Sequence, residues 1–422
     1  MRAASHIKVL SERFDVTLAI VGDHGGEAEA HRRLAPEVRE VCASVIIVSR
    51  TSFLHRRLAR LHRRLTPGAG FLVHNLCEAL WPTPAIFAPY FPAVAELGRR
   101  LRGERFAVVH CFRLNSGLLR SLRRGGVVFA RSVLDFDGYE SRAEFRATAA
   151  FRRLVGKQLS VVTWLRAVKW RVLEALLIPR FDDGIVSSED DCQRLRRRFP
   201  GTRWHVVPNA VAAPAEIDTA GHDGFTFLFV GQLGYLPNWD AVLFFCTRVL
   251  PVLRQAGPES LKVLIVGRAG GNLDRLKGID EVQIVVDPPD IAPYYAQADA
   301  VIVPLRGGSG TRIKIIEAFS YGLPVVSTTI GAEGLEVTPQ ADILIGDDPQ
   351  AFAEQCRRIM VDNGLRRRIA AAGHELWRTR YSLSTLVEAL EAVYATQRAV
   401  SEPRWRKDPG SAVSGIRRAA ER

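Results

Sequence analysis

Cysteine is scarce and scattered in this chain of 422 residues. The six cysteines stand at 42, 77, 111, 192, 246 and 356, and none forms a C-x-x-C pair. Neither a zinc knuckle nor a redox dithiol is therefore expected, and isolated thiols fit a reducing compartment. No run of about 18 uncharged apolar residues occurs, so no membrane-spanning helix is expected. The opening MRAASHIKVLSERFDV carries charge in every turn. It has no apolar centre and is not expected to act as a secretory leader. G-x-G-x-x-G and G-x-x-x-x-G-K-[ST] are both missing, so a dinucleotide oxidoreductase and a P-loop enzyme would each lack their phosphate loop. No internal repeat is visible.

Acid is also short, but only in one half. Lys and Arg number 58 against 45 Asp and Glu, a net charge of +13. Residues 1–210 carry 35 against 20, a net of +15, and the remainder is close to neutral at −2. Nucleic acid, an anionic membrane or a phosphorylated ligand would each suit a basic half, as would a solvated arginine-rich surface. The arginines are not interleaved with a regular aromatic pattern and no nucleic-acid module is present, so nucleic acid is not an expected partner. A hydrophobic content of 47% and a mean hydropathy of +0.01 fit globular domains with sizeable cores.

What is abundant is short Val/Ile/Leu-rich runs alternating with helical patterns. The first half offers 16–22, 44–50, 106–112, 126–135, 183–188 and 204–211; the second offers 225–231, 261–267, 282–287, 299–305, 324–329 and 342–346. Near-continuous apolar runs predict parallel strands buried on both faces. Twelve of them exceed one ordinary doubly wound sheet, so two α/β domains are expected. The boundaries read as 1–211, a Pro/Gly-containing linker 212–224, a second domain 225–400 and a mobile basic tail 401–422. Within 151–178 an apolar stripe through Val161, Leu165, Val168, Val172 and Leu176 is interleaved with Arg152, Arg153, Lys157, Arg166, Lys169 and Arg171, beside Trp164 and Trp170. Both a membrane-interface helix and a long core helix fit that pattern.

The segment VPLRGGSGTRIKIIEAFSYGLPVVST (303–328) carries the most chemistry. A strand leads into a loop with Gly307, Gly308 and Gly310, and a helix is expected from about Thr311 to just before Gly322. Backbone N–H groups at such a helix start suit phosphate. Arg312 and Lys314 fall in the first turn, where the helix dipole disfavours cations by a few tenths of a kcal/mol, and an anionic ligand would offset that. Glu317 lies further in, where its carboxylate can accept from a sugar diol.

This segment does not stand alone. FLFVGQLGYLPNWDAVLFFCTRVLPVLR (227–254) gives strand, glycine loop and helix; VVDPPDIAPYYAQADAVIVPL (285–305), IGAEGL (330–335) and VVPNAV (206–211) complete an ordered set. The set resembles the retaining glycosyltransferases of family 4, of GT-B fold, strongly across about 225–380 and recognisably over 105–211. The sugar transferases of exopolysaccharide assembly are closest. The resemblance implies two Rossmann-like domains facing a cleft, with a nucleotide-diphosphate sugar held mostly by the second. It also implies transfer with retention to a glycan or polyprenyl-linked acceptor, no metal and no cofactor, and a cytoplasmic location, peripheral on an anionic inner membrane face. Residue by residue, Glu317 matches the glutamate that holds the ribose, Gly231 the glycine facing the diphosphate, and Arg312 and Lys314 basic positions beside it. Ser309, Gly310 and Thr311 complete the donor loop. Ser309 stands where the family's E-x7-E motif has its first glutamate, and Gln232 and Pro237-Asn238 stand where many members carry Arg and Lys. Arg312 and Lys314 then become the main diphosphate ligands. A sugar-nucleotide epimerase of the same fold and a non-catalytic sugar-nucleotide-binding subunit are the alternatives.

On the acceptor side, His110 is read as ending a strand and opening a loop, a position from which it would act catalytically or structurally. Asp135 and Asp137 match D-x-D formally, but in the wrong fold for a metal, so acceptor binding or structural hydrogen bonding is expected. Ala3–Phe14 reads as a first helix, with Ile7, Leu10 and Phe14 at spacings of 3 and 4, followed directly by the second strand of the family pattern. The first strand and its glycine loop are thus expected to be absent, leaving an open edge on each neighbour, and a true start upstream of Met1 is the expectation.

Overall fold

The computed structural model describes residues 2–22, 31–32, 34–49, 90–114, 117–142, 144–145, 157–214, 224–255, 260–270, 276, 278–308 and 312–395. Two compact units emerge: Met1–Val207 with Val387–Arg422, and Pro208–Leu386. All twelve predicted strands form, and every ladder between them is parallel.

The first unit contains β1 (Thr17–Gly22), β2 (Ser44–Ser49), β3 (Arg105–Phe112), β4 (Val128–Asp137), β5 (Asp183–Val186) and β6 (Arg203–Val206). Its helices are α1 (Arg2–Ser11), α2 (Pro36–Glu40), α3 (Tyr90–Arg100), α4 (Leu119–Arg124), α5 (Lys157–Leu177) and α6 (Glu189–Arg198). The strands do not make one sheet. β1 and β2 pair with each other, and β3-β4-β5-β6 form a separate four-stranded sheet. β3 is an edge of that sheet, with β4 as its one partner among the described residues. The two pieces share a core, in which Val48 joins Val94 and Leu97 of α3 and Leu134 and Phe136 of β4. α1 forms where the 3-and-4 spacing predicts it. α6 shows why these helices start where they do: the Ser188 side chain accepts from Asp191 N, Glu189 to Asp191 fill the first turn, and Arg196 to Arg198 fill the last.

α5 exposes the C-terminal part of its predicted stripe, Val172 and Leu176, while Leu165 and Val168 are half-buried. Ala167, Trp170, Leu173 and Glu174 are the buried side chains, while Trp164, Val172 and Leu176 are more than half exposed. Glu174 is admitted because Ser141 donates to it twice and Arg198 once.

The second unit is one sheet, with β7 (Phe225–Val230), β8 (Leu261–Gly267), β9 (Val282–Val286), β10 (Ala300–Val303), β11 (Val325–Ser327) and β12 (Leu344–Ile345) in the order β12-β11-β10-β7-β8-β9. Every residue of β7, β10 and β11 is buried, as their unbroken apolar sequences require. Around the sheet lie α7 (Leu236–Phe244), α8 (Leu250–Gln255), α9 (Ala292–Ala296), α10 (Ile313–Ser320), α11 (Thr329–Ala332), α12 (Pro349–Val361) and α13 (Asn363–Leu376). The core is aromatic, with Phe227, Phe229, Phe245, Phe319, Phe352 and Tyr295 at 1% exposure or less. The strand order reverses between β7 and β10. In open α/β sheets such a switch point leaves a crevice at the carboxyl ends of the two strands.

The last helix, α14 (Leu383–Ala395), returns to the first unit from Val387 onward. The sequence reading kept residues up to 400 with the second domain. Three contacts account for the difference: Arg131 donates to Val393 O at 3.0 Å, Tyr394 bonds His110, and Arg13 pairs with Glu391. Of the predicted linker, residues 215–223 lie outside the described residues, as does the 401–422 tail.

Candidate functional site

The loops that follow β7 and β10 converge at the switch point of the second unit. Gly231 closes β7, donating to Val266 O at 3.0 Å. A side chain there would be impossible without displacement: an added Cβ would lie 2.9 Å from Asn238 Nδ2 and 3.1 Å from Lys314 Nζ. Asn238, two residues into α7, donates to Gln232 O at 3.0 Å and accepts from Lys314 Nζ at 2.8 Å. The Lys314 ammonium also sits 4.3 Å above the Phe229 ring. The Asn238 side chain thus ties the glycine loop to α10.

α10 begins differently from its neighbours. Thr328, Asp348 and Asp362 cap α11, α12 and α13 with side-chain acceptors. At α10 the N-cap is Arg312, which provides no cap bond, and no acid occupies the first turn. The helix starts at Ile313 rather than Thr311, so Arg312 precedes it and Lys314 is its second residue. Its far end matches the sequence reading: Gly322 has φ +66°, Gly322 N donates to Phe319 O and Leu323 N to Ala318 O, a Schellman closure.

Arg312 is buried and reaches Ile330 O at 3.4 Å. Gly308, with φ +101°, passes so close that a Cβ would lie 3.2 Å from Arg312 Nη1. Loss of hydration, followed by the Arg312 charge, brings Lys314 down to about 7, and Glu317 opposes the shift. Burial raises the pKa of Glu317, against a bond from Tyr295 and the charge of Lys314. Tyr295 OH donates to Glu317 Oε2 at 3.2 Å, and its ring stacks on Tyr321 at 4.4 Å. Two cations, a carboxylate oriented by a phenol and an uncapped helix start form an arrangement for an anion with an attached polyol. Gly231, Arg312, Lys314 and Glu317 are brought together here. Ser309, Gly310 and Thr311 lie outside the described residues.

The predicted acceptor-side residues gather in the first unit, though not as expected. His110 does not open a loop, because β3 continues to Phe112, which pairs with Asp135. The His110 Nδ1 lies 2.6 Å from Tyr394 OH on α14. Asp135 is fully buried, with Arg2 Nε at 3.0 Å and 3.2 Å from its two oxygens. A carboxylate so enclosed does not meet an acceptor. Burial alone would raise the Asp135 pKa, but the Arg2 charge and the His110 and His6 imidazoles hold it well below the usual range. Burial lowers the pKa of His6, against the pull of Asp135. Asp137 has φ +53° and is a quarter exposed, with Arg113 Nη2 at 3.4 Å. Nearby Glu140 is pushed up to about 7, chiefly by burial.

Sequence reasoning missed Asn238 as the lysine's partner, Tyr295, His6 and Tyr394. Asn238 had a signal, since it replaces a cation in the loop after β7. The other three lie far along the chain from the groups they touch and have no local motif.

Residues 224–362 match the family model described as glycosyl transferases group 1. The chain is 26% identical over 248 residues to a D-inositol 3-phosphate glycosyltransferase of Xylanimonas cellulosilytica, covering 53% of this chain and 58% of that one. It spans about half the length of the curated relatives it matches. Among solved structures it is similar to the sucrose-phosphate synthase of Thermosynechococcus elongatus, with TM-score 0.62 and 16% identity, covering 91% of this chain and all of that one. It is also similar to HepE of Anabaena in complex with UDP and glucose, with TM-score 0.60 and 14% identity, covering 93% and 95%. These likenesses show the fold, two Rossmann-like units of the GT-B type.

Proposed function

We propose that the chain is a glycosyltransferase taking its sugar from a nucleotide-diphosphate donor bound at the switch point of the second unit. One observation carries the reading: Gly231, Asn238, Arg312, Lys314 and Glu317 meet around a helix start that no protein side chain caps. The glycosyl transferases group 1 match over 224–362 and the UDP bound to HepE support it.

In this reading Glu317, oriented by Tyr295, accepts from the ribose hydroxyls. Arg312, Lys314 and the uncapped backbone at the start of α10 receive the diphosphate. Breaking the sugar–diphosphate bond passes through an oxocarbenium-like state while negative charge grows on the leaving group, and the cations stabilise that charge as it develops. No side chain then has to be a strong nucleophile, in keeping with transfer that retains configuration and needs no metal at the diphosphate. The acceptor is a glycan or lipid-linked saccharide of cell-surface polysaccharide assembly, and Asp137, a quarter exposed beside Arg113, is the acceptor-side carboxylate that still reaches the surface.

Calorimetry with nucleoside diphosphates and their sugars tests the donor site. Charge-assisted hydrogen bonds contribute roughly 1.5–3 kcal/mol each, so Arg312→Ala and Glu317→Ala should each weaken binding about tenfold or more. Unchanged binding in the Arg312→Ala, Lys314→Ala, Glu317→Ala triple variant would place the site elsewhere. Donor consumption that needs no acceptor and yields an isomerised sugar nucleotide would replace transfer by epimerisation.

A further inference from the structure

His6, His110 and Asp135 come from α1, β3 and β4, and one ligand atom from each lies within 4.8 Å of the other two. His6 Nδ1 is 3.0 Å and His110 Nε2 3.7 Å from the same carboxylate oxygen, Asp135 Oδ2. A tetrahedral ion with bonds of about 2.0–2.2 Å separates its ligands by roughly 3.3–3.6 Å, and the two imidazole–carboxylate spacings bracket that value.

The hydrogen-bond pattern is the second observation. The His6 side chain is 3% exposed, yet neither of its ring nitrogens makes a hydrogen bond, and His110 Nε2 makes none either. Buried imidazole nitrogens are ordinarily satisfied. His6 Nδ1 and His110 Nε2 instead both face Asp135 Oδ2, at 3.0 Å and 3.7 Å, as ligands turned to a common point do.

The groups behind them are arranged to hold ligands. Tyr394 OH at 2.6 Å from His110 Nδ1 fixes that ring and leaves Nε2 to face inward. The other oxygen of Asp135 is held by Arg2 Nε at 3.0 Å and Asp137 N at 3.3 Å.

We infer that His6, His110 and Asp135 form a binding site for a borderline divalent cation of the zinc type, which fastens α1 across the C-terminal ends of β3 and β4. Two imidazoles and one carboxylate favour zinc over magnesium. Arg2, bonded to the same carboxylate, competes for its charge, while Asp137 at 3.8 Å from Arg2 Nε partly balances the guanidinium. The site lies wholly within the first unit and includes none of the residues assigned to the donor. Its role is to hold the helix at the β3 edge, which has no neighbouring strand among the described residues.

The test uses the full chain, stripped with a chelator and checked for folding by circular dichroism. Titration with Zn2+ should show one equivalent bound per chain and a rise in thermal midpoint, with no comparable response to Mg2+. His6→Ala and His110→Ala should each weaken zinc binding at least a hundredfold, and Tyr394→Phe, which keeps the packing, about 10–100-fold, as loss of an outer-shell partner does. A Co2+-loaded wild-type chain should show visible d–d absorption and paramagnetically shifted imidazole signals, a readout that needs no variant. Absence of stoichiometric zinc or cobalt uptake by the folded wild type would overturn the inference. So would uptake that survives unchanged in both histidine variants, which would place the metal elsewhere.

Discussion

The two units solve the same folding problem with different completeness. In the second, six parallel strands form one sheet, and β7, bordered by β10 and β8, has every residue buried. In the first, the described strands fall into two sheets, so β1 and β3 each have a partner on one side only among the described residues. The sequences of the two sets look alike, short and rich in Val, Ile and Leu. What differs is that the second unit's strands make one continuous ladder, whereas in the first the ladder is split and a helix, α1, lies beside β3: the His6 ring is 6.1 Å from that of His110 and 6.4 Å from that of Phe112. A helix can cover a sheet end with side chains, but it cannot complete the ladder of an open strand edge.

The largest expected effect breaks the comparison at its core. Phe227→Ala removes a fully buried ring from the continuous sheet, and changes of that kind cost about 3–5 kcal/mol. Global unfolding in urea should register that loss. Ile47→Ala, in the β1–β2 pair, should act more locally. Hydrogen exchange sharpens the point, because amides of β1 and β2 should exchange far faster than those of β7 and β8, through local opening. Equal protection in both sets would mean that the break in the ladder has no energetic consequence.

Next comes the proposed donor site, where Lys314 links charge to pH. Its pKa of about 7 lies well below the 10.5 of an ordinary lysine. The unfolded chain therefore binds the extra proton between those values. The burial penalty is fully present below pH 7 and is relieved as pH rises towards 10.5, so this group makes stability increase across that window. Binding runs the other way. A bound diphosphate favours the charged lysine, so affinity for a nucleotide sugar, a diester of constant charge, should fall as pH rises above about 7, by at most tenfold per unit. Calorimetry in buffers of different ionisation enthalpy should show proton uptake at pH 8, and Lys314→Met should abolish both effects. A flat affinity profile from pH 6.5 to 9 in the unmodified chain would separate Lys314 from the diphosphate.

How much of this was legible in the sequence follows the same division. Strands appear because their pattern is local, and all twelve were placed from apolar runs alone. The end of α10 was readable from Gly322, but its start was not, because Arg312 takes the cap position that a Ser or Asp would announce. On the donor side Gly231, Arg312, Lys314 and Glu317 could be named, since they belong to strand–loop–helix segments with a recognisable order. Tyr295 could not, because its bond to Glu317 spans 22 residues. In the first unit the partners are farther apart still: Arg2 and Asp135 are 133 residues from each other, His110 and Tyr394 284. Periodicity also left a choice open, since an interface helix and a core helix both fitted 151–178. Ala167, Trp170, Leu173 and Glu174 are the residues of α5 that pack, with Leu165 and Val168 half-buried beside them, and amphipathic spacing alone does not say which arc of a helix with apolar residues on both sides meets the core.

The exposed arc of α5 carries the smallest and last expectation. Trp164, Val172 and Leu176 lie on one exposed arc of α5, flanked by Arg171 and Lys169. They belong to the half of the chain with a net charge of +15. No helix among the described residues is long and apolar enough to cross a membrane. An apolar arc with a tryptophan and basic flanks suits the plane of a lipid interface, where each basic residue near an anionic surface contributes about 1 kcal/mol. A lipid-linked acceptor would be met there. Vesicles containing phosphatidylserine or phosphatidylglycerol should float the protein, and sodium chloride should weaken the association, since screening shortens the reach of the surface potential. A Val172→Asp, Leu176→Asp variant should lose most of the binding while keeping nucleotide affinity, because both side chains are already in water and neither touches the donor site. Indifference to vesicle charge would leave the arc without a lipid role. Retained flotation in the double variant would move the membrane contact to another part of the basic half.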